Sequence, residues 1–268
     1  MNKGANAMTN EDTRQYWEDY VTYWLEKVKE SNENSKEKKD TTVDDELLYT
    51  NVARLDFQQG DQVLDYGCGF CRLYPFIKGL GENKVTYFGV DIAQSPLDYA
   101  VNLYPELKPY LKTLNNERIP YEKDTFDKLV CFGVLDACHQ EETIFDILKV
   151  LKTGGKALIT GKNNNYHSDD ELAITAEINA RKKGHPNFFT DVRELLKQLE
   201  ERDVHIEQGY YFERRGDSVQ NNYTTIMPEN FYEFFVIISK TKEVKEEFSS
   251  FSYKYSKTYC DKYPEMDR

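Results

Sequence analysis

The sequence predicts an α/β protein built on a seven-stranded, mostly parallel sheet with helices on both faces and the last strand antiparallel. Three observations carry this. Short apolar runs alternate with helical patterns through the middle of the chain. The first two runs each end in an acid, Asp65 and Asp91. A glycine bend, Gly67-Cys68-Gly69, follows the first acid almost at once. An apolar run stopped by glycine reads as a buried strand. Strands alternating with helices make parallel pairs.

The elements follow in order. Between 14 and 30, Tyr16, Trp17, Tyr20, Val21, Tyr23, Trp24, Leu25 and Val28 fall at helical spacing with a wide apolar face. Residues 31–40 are polar and read as a solvated loop, and 44–55 as a second helix. Strands are expected at 62–66, 86–90, 111–114, 126–133 and 155–160. Helices are expected at 73–80, 96–103 and 142–151. Two further helices, 170–183 and 191–202, precede strands at 205–212 and 231–239. Residues 214–229 between those strands show no helical pattern, so the pair should be antiparallel, because a parallel pair needs a crossover. The Tyr-rich end of the chain is given no structure. The expected organisation is a helical cap at 1–55, a core domain at 56–242 with a substrate-recognition insertion near 163–190, and a tail at 243–268.

Composition narrows the function classes. The net charge of −12 argues against a broad electrostatic grip on nucleic acid or an anionic membrane. No apolar run approaches the roughly 20 residues that span a bilayer. The first residues are polar, without the apolar core of a signal peptide. Five cysteines make no small-domain disulfide framework. A cytoplasmic protein with reduced thiols is the expectation. Cys68 and Cys71 form a C-x-x-C, but no second pair completes a metal set. They read as small residues filling a tight turn, and no metal is expected.

These motifs, in this order, resemble the class I S-adenosylmethionine-dependent methyltransferases, over about 56–242. Asp65-Tyr66-Gly67-Cys68-Gly69 is similar to the family's first-strand acid and G-x-G turn, and Asp91 to its second-strand acid. Asn115-Asn116-Glu117-Arg118-Ile119-Pro120-Tyr121 with Phe126-Asp127 resembles the adenine region. The stretch 134–139 falls where the family places its fourth-strand loop, and 150–159 resembles its helix, glycine turn and fifth strand. The resemblance implies a Rossmann-like fold and S-adenosyl-L-methionine as cofactor. The turn at Gly67 and Gly69 then gives the methionine part room against the backbone, because a Cβ there would collide with it, and Cys68 between them belongs to the same cofactor set. Asp65 holds that turn or meets the ammonium through water, and Asp91 takes the ribose diol. Asn115 and Asn116 bracket the adenine edge, with Ile92 and Ile119 sandwiching the ring. Phe132 and Tyr20 complete the expected cofactor set. Arg72 stands where a dinucleotide-binding G-x-G-x-x-G would place its third glycine, which disfavours that rival.

The implied chemistry is methyl transfer to oxygen or nitrogen of a small molecule or glycan precursor. An alcohol needs a base. His139 is the first candidate and His185 the second; His167 also falls near a strand end. Trp17, Tyr20 and Trp24 either roof a cage for the sulfonium or pack as core. Asn163-Asn164-Asn165-Tyr166-His167, Arg181-Lys182-Lys183 and Arg214-Arg215 either receive an anionic or polyhydroxylated acceptor or are solvated loops. A silent cofactor-binding subunit, or an aminopropyl-type transferase on the same fold, are the alternatives. A homodimer stays open.

Overall fold

The computed structural model describes residues 10–35, 40–81, 85–114 and 118–264. Its centre is a seven-stranded sheet. In chain order the strands are β1 (Asp61–Tyr66), β2 (Val85–Asp91), β3 (Leu111–Thr113), β4 (Phe126–Cys131) and β5 (Leu151–Lys162). A short β6 (Phe189–Thr190) lies apart, and β7 (Val204–Phe212) and β8 (Glu233–Lys240) complete the sheet. Their spatial order is β3-β2-β1-β4-β5-β8-β7. The first five pair in parallel, and β8 runs antiparallel to both β5 and β7. This is the mixed sheet expected from the missing crossover helix.

Side chains alternate across the sheet because successive strand residues face opposite ways. Leu64, Ile159, Phe234, Val236 and Ile238 pack into one layer with Ile144 and Ile147 of α5 (Gln140–Val150) and Leu195 and Leu199 of α7 (Val192–Glu201). Val63, Leu158, Phe235 and Ile237 pack into the other. There they meet Leu48 and Val52 of α2 (Asp45–Val52), Ile77 of α3 (Tyr74–Gly79) and Leu97 of α4 (Ser95–Leu103). Buried on both faces, the strands need near-continuous apolar sequence.

The first helix, α1 (Asn10–Glu33), runs beyond the expected loop boundary at 31. Ser31, inside that extension, is buried and donates to the Thr42 carbonyl at 2.6 Å. The helix docks at the carboxyl ends of the strands. Glu18 accepts from the backbone N–H groups of Gln94 and Ser95 at 2.6 and 2.9 Å, where α4 begins. A carboxylate there satisfies orphan donors and meets the positive end of the helix dipole.

Past β5 lie α6 (Glu171–Lys182) and, after β7, the single-turn α8 (Asp217–Gln220). The chain's end carries structure that its charged composition hides. Strand β9 (Ser252–Tyr253) pairs antiparallel with β6, and α9 (Lys257–Lys262) follows. Glu141 gathers the N–H groups of Phe251 and Ser252, and buried Glu177 receives Ser256 Oγ and Tyr166 Oη at 2.6 and 2.8 Å. Those partners are far apart in sequence, so no local pattern announces them.

Candidate active site

The carboxyl ends of β1, β2, β4 and β5 open into one cavity of about 420 Å³, a usual size for a small-molecule site. The antiparallel β8 starts at this same edge, so Glu233 joins the rim, and β7 ends there, so Arg215 follows it. Trp17, Tyr20 and Trp24 of α1 roof the opening.

The floor is the bend after β1. Gly67 and Cys68 donate to the Val90 carbonyl at 2.8 and 3.0 Å, tying the bend to β2. Gly67 has φ +70°, and a Cβ there would lie 2.5 Å from Val134 Cγ1. Gly69, at φ +53°, faces open space. Left-handed backbone at both positions is what glycine permits. Asp91 Oδ2 accepts from Gly69 N at 2.9 Å and Oδ1 from Ala93 N at 3.0 Å. Asp91, not Asp65, therefore holds the turn. Burial pushes the Asp91 carboxyl up, against those backbone donors.

Asp65 is buried one strand away and accepts from the Tyr87 hydroxyl at 2.7 Å. Burial pushes it up to about 7, with Asp91 adding to the rise and Tyr87 resisting it. Cys68, Ile92 and Phe132 also line the cavity, with Leu114. Ile119 is buried in the core layer and is not part of this wall. Asn115 and Asn116 lie outside the described residues.

The candidate bases separate. His185 lines the cavity, whereas His139 is exposed ahead of α5. His167 faces Glu213 at 3.3 Å instead. The His185 ring sits among Tyr16, Trp17 and Tyr20, with centroids 5.0–5.6 Å away, and its Nδ1 is hydrogen-bonded to the Tyr16 hydroxyl. Burial, then the nearby Lys162 charge, lowers His185 to about 4, so the ring is neutral at physiological pH. The aromatic stripe of α1 is thus neither plain core nor a bare lid; part of it wraps a histidine.

The far half of the cavity carries charges. Asp136 follows β4, Lys162 ends β5, Arg215 follows β7 and Glu233 opens β8, next to Tyr232. Lys162 pairs with Asp136 and donates to Asn187 Oδ1 at 2.7 Å. Burial alone would lower the Lys162 ammonium; Asp136 more than reverses that. Arg215 belongs to a stretch expected to touch an acceptor, but its neighbour Arg214 turns outward to Asp169 at 2.6 Å. Arg181 is held by Glu177, and Asn163 braces the backbone carbonyls of Asn165 and Phe231. Lys162 and Glu233 were not legible as site residues. Their signal is the register of an antiparallel pair in which they stand opposite each other.

Cys68 and Cys71 are both buried free thiols, and burial pushes Cys68 up. Among the described residues no group of three or more His, Cys, Asp or Glu is arranged to hold a metal ion.

The family model described as "Methyltransferase domain" matches residues 64–159, the span from β1 through β5 that builds the floor. That stretch of the chain is therefore similar to a methyltransferase domain, and the sheet order β3-β2-β1-β4-β5-β8-β7 around it is the class I methyltransferase fold. The chain is 29% identical over 121 residues to the ubiquinone/menaquinone biosynthesis C-methyltransferase UbiE of Geobacter sulfurreducens, covering 40% of this chain and 44% of that protein. It is 25% identical over 134 residues to an uncharacterized protein of Methanocaldococcus jannaschii, covering 48% of this chain and 54% of that one. The chain thus spans about half the length of the curated relatives it matches. Among solved structures, the [4+2]-cyclase SpnF superposes with a TM-score of 0.59 at 18% identity, over 89% of this chain and 99% of that chain. Geranyl diphosphate C-methyltransferase from Streptomyces coelicolor A3(2), solved with S-adenosyl-L-homocysteine, gives 0.56 at 13% identity, over 73% and 76%. These likenesses show the fold. The methyltransferase domain takes S-adenosylmethionine as cofactor, and the residues present suit it. The space at Gly69 is open, and Asp91 lines the cavity with its carboxylate held by backbone N–H donors that include Gly69 and Ala93.

Proposed function

We propose that this chain transfers a methyl group from S-adenosylmethionine to oxygen or nitrogen of a small polar molecule. The observation that carries the reading is one continuous cavity. It joins the Gly67–Gly69 bend and Asp91 to a second, polar compartment around His185.

S-adenosylmethionine, when bound, supplies an electrophilic methyl on a sulfonium. The protein's task is placement and water exclusion, and alignment of nucleophile and methyl can account for much of such a rate. Asp91 accepts from the ribose hydroxyls with the lone pairs its backbone donors leave free. Asp65 offers a carboxylate toward the amino-acid half. Trp17, Tyr20 and Trp24 keep water from the roof and present ring faces suited to a cation. His185 is neutral, with Nδ1 occupied by Tyr16. In the tautomer whose Nδ1–H donates to the Tyr16 oxygen, its Nε2 is free to accept from the acceptor's O–H or N–H and so to orient the nucleophile.

Calorimetry with S-adenosylhomocysteine tests cofactor binding, and no binding at high micromolar would end the proposal. A deuterated methyl donor, followed by mass spectrometry of products from a lysate, tests the transfer. SpnF is named as a cyclase, so the fold also serves other chemistry; cofactor binding with no labelled product in any fraction would point that way.

A further inference from the structure

The polar compartment holds four ionisable side chains, and they do not all satisfy one another. Lys162 and Asp136 form an ion pair, and Asn187 takes a further Lys162 proton. Arg215 is different. Its Nη1 donates to the Tyr232 hydroxyl at 2.6 Å and its Nη2 to Thr41 Oγ1 at 3.4 Å. Among the described residues no carboxylate lies within the 4.0 Å of an ion pair with it. Glu233 is the converse. Burial pushes its carboxyl up, and Ser218, Arg215 and Lys162 oppose the rise without an ion pair at contact distance. Both side chains are half-buried and both line the cavity.

A half-buried charge facing only neutral hydroxyls is costly unless something completes it. The two open charges have opposite sign. A simple anion at Arg215 would face Glu233, and a simple cation at Glu233 would face Arg215. A molecule carrying both charges answers both. Both residues stand on anchored backbone: Glu233 starts β8 opposite Lys162, while Arg215 sits three residues beyond the end of β7, its backbone N–H fixed to Asp170 Oδ2 at 2.8 Å.

We propose that the acceptor is a small zwitterion of the amino-acid class, its carboxylate held by Arg215 and its ammonium or amine directed to Glu233. This rests on the methyl-transfer reading above. The cofactor's own amino-acid half carries the same two charges, so the experiment must separate the two sources.

The test starts with the protein saturated with S-adenosylhomocysteine. Calorimetry then titrates the twenty free α-amino acids, singly and as pools, with the methyl ester and N-acetyl form of each binder. The expected result is at least one binder whose two blocked forms bind tenfold or more weaker. Arg215→Gln should erase the preference for the free carboxylate, and Glu233→Gln the preference for the free amine. Both should leave S-adenosylhomocysteine affinity within about threefold. The proposal is overturned if no amino acid binds the loaded wild type, or if blocked and free forms bind alike. It is also overturned if Arg215→Gln weakens S-adenosylhomocysteine itself tenfold, which would assign Arg215 to the cofactor. Should Arg215→Gln fail to fold, Glu233→Gln and the blocked ligands decide the matter alone. Failure of the wild type to bind S-adenosylhomocysteine is a separate result and removes the methyl-transfer reading instead.

Discussion

Asp65 is a buried carboxylate with a single hydrogen-bond donor, and Asp65→Asn measures the cost of that burial. The side chain is 7% exposed and its one hydrogen-bond donor is the Tyr87 hydroxyl. Its pKa moves from 3.8 to about 7. A carboxyl with a raised folded pKa binds a proton more readily folded than unfolded. Its contribution is therefore complete below the unfolded value and is lost as pH rises through the folded one. At about 1.4 kcal/mol per pKa unit, the full difference is a ceiling of about 4 kcal/mol above pH 7. Relaxation around the charge should leave roughly half of it. Asparagine keeps the shape and can still accept from Tyr87, but it carries no charge. Without cofactor, wild type and Asp65→Asn should be equally stable near pH 4. They should diverge between pH 4 and 7, and above pH 7 the variant should lead by about 2 kcal/mol, or roughly 4–8 °C in Tm for a chain of this size. Urea and thermal unfolding across that range provide the assay. A gap that is absent at pH 8, or that does not change with pH, would refute the reasoning.

The same carboxyl should couple to ligand binding. If the cofactor's ammonium neutralises Asp65, binding at pH 6 should release a proton, seen by calorimetry in buffers of different ionisation enthalpy, and affinity should rise from pH 6 to 8. Asp91→Ala removes the proposed ribose acceptor and the clasp on Gly69, so it should weaken S-adenosylhomocysteine by about 1.5–3 kcal/mol, the range for a hydrogen bond to a charged group. Gly67→Ala combines a φ of +70° with a Cβ 2.5 Å from Val134; it should cost at least about 1–3 kcal/mol of stability, read by urea unfolding. Glu18→Ala removes the clamp between α1 and the start of α4, so limited proteolysis should cut α1 several-fold faster. The backbone donors at Gln94 and Ser95 hold the Glu18 carboxyl below its usual range despite burial. Wild-type α1 should therefore stay docked above about pH 4.5 and loosen as pH falls further.

Much of the cavity's floor was readable in one dimension. Strand, bend, helix and strand follow one another without a gap, so Asp65, the glycines and Asp91 are brought together by a single local unit. Apolar runs show β1, β2, β4 and β5 for the same reason, since each strand is buried on both faces. What the residues do to one another was less legible. The order of the acids along the chain does not say which grips the turn, and only the parallel register of β1 and β2 gives that task to Asp91 and the Tyr87 hydroxyl to Asp65.

The polar half of the cavity depends on pairing between distant segments. His139 and His185 look alike beside their neighbours in sequence, yet only His185 is folded back against α1. Lys162 and Glu233 stand 71 residues apart in the chain and meet because β8 enters the sheet antiparallel to β5. Reversing that one strand brings its first residue, rather than its last, to the edge where the cavity opens. The periodicity of the sequence determined the layers, the bend and the two acids. The direction and register of the last strands, set by packing across the whole sheet, decided which charges face the compartment beyond them.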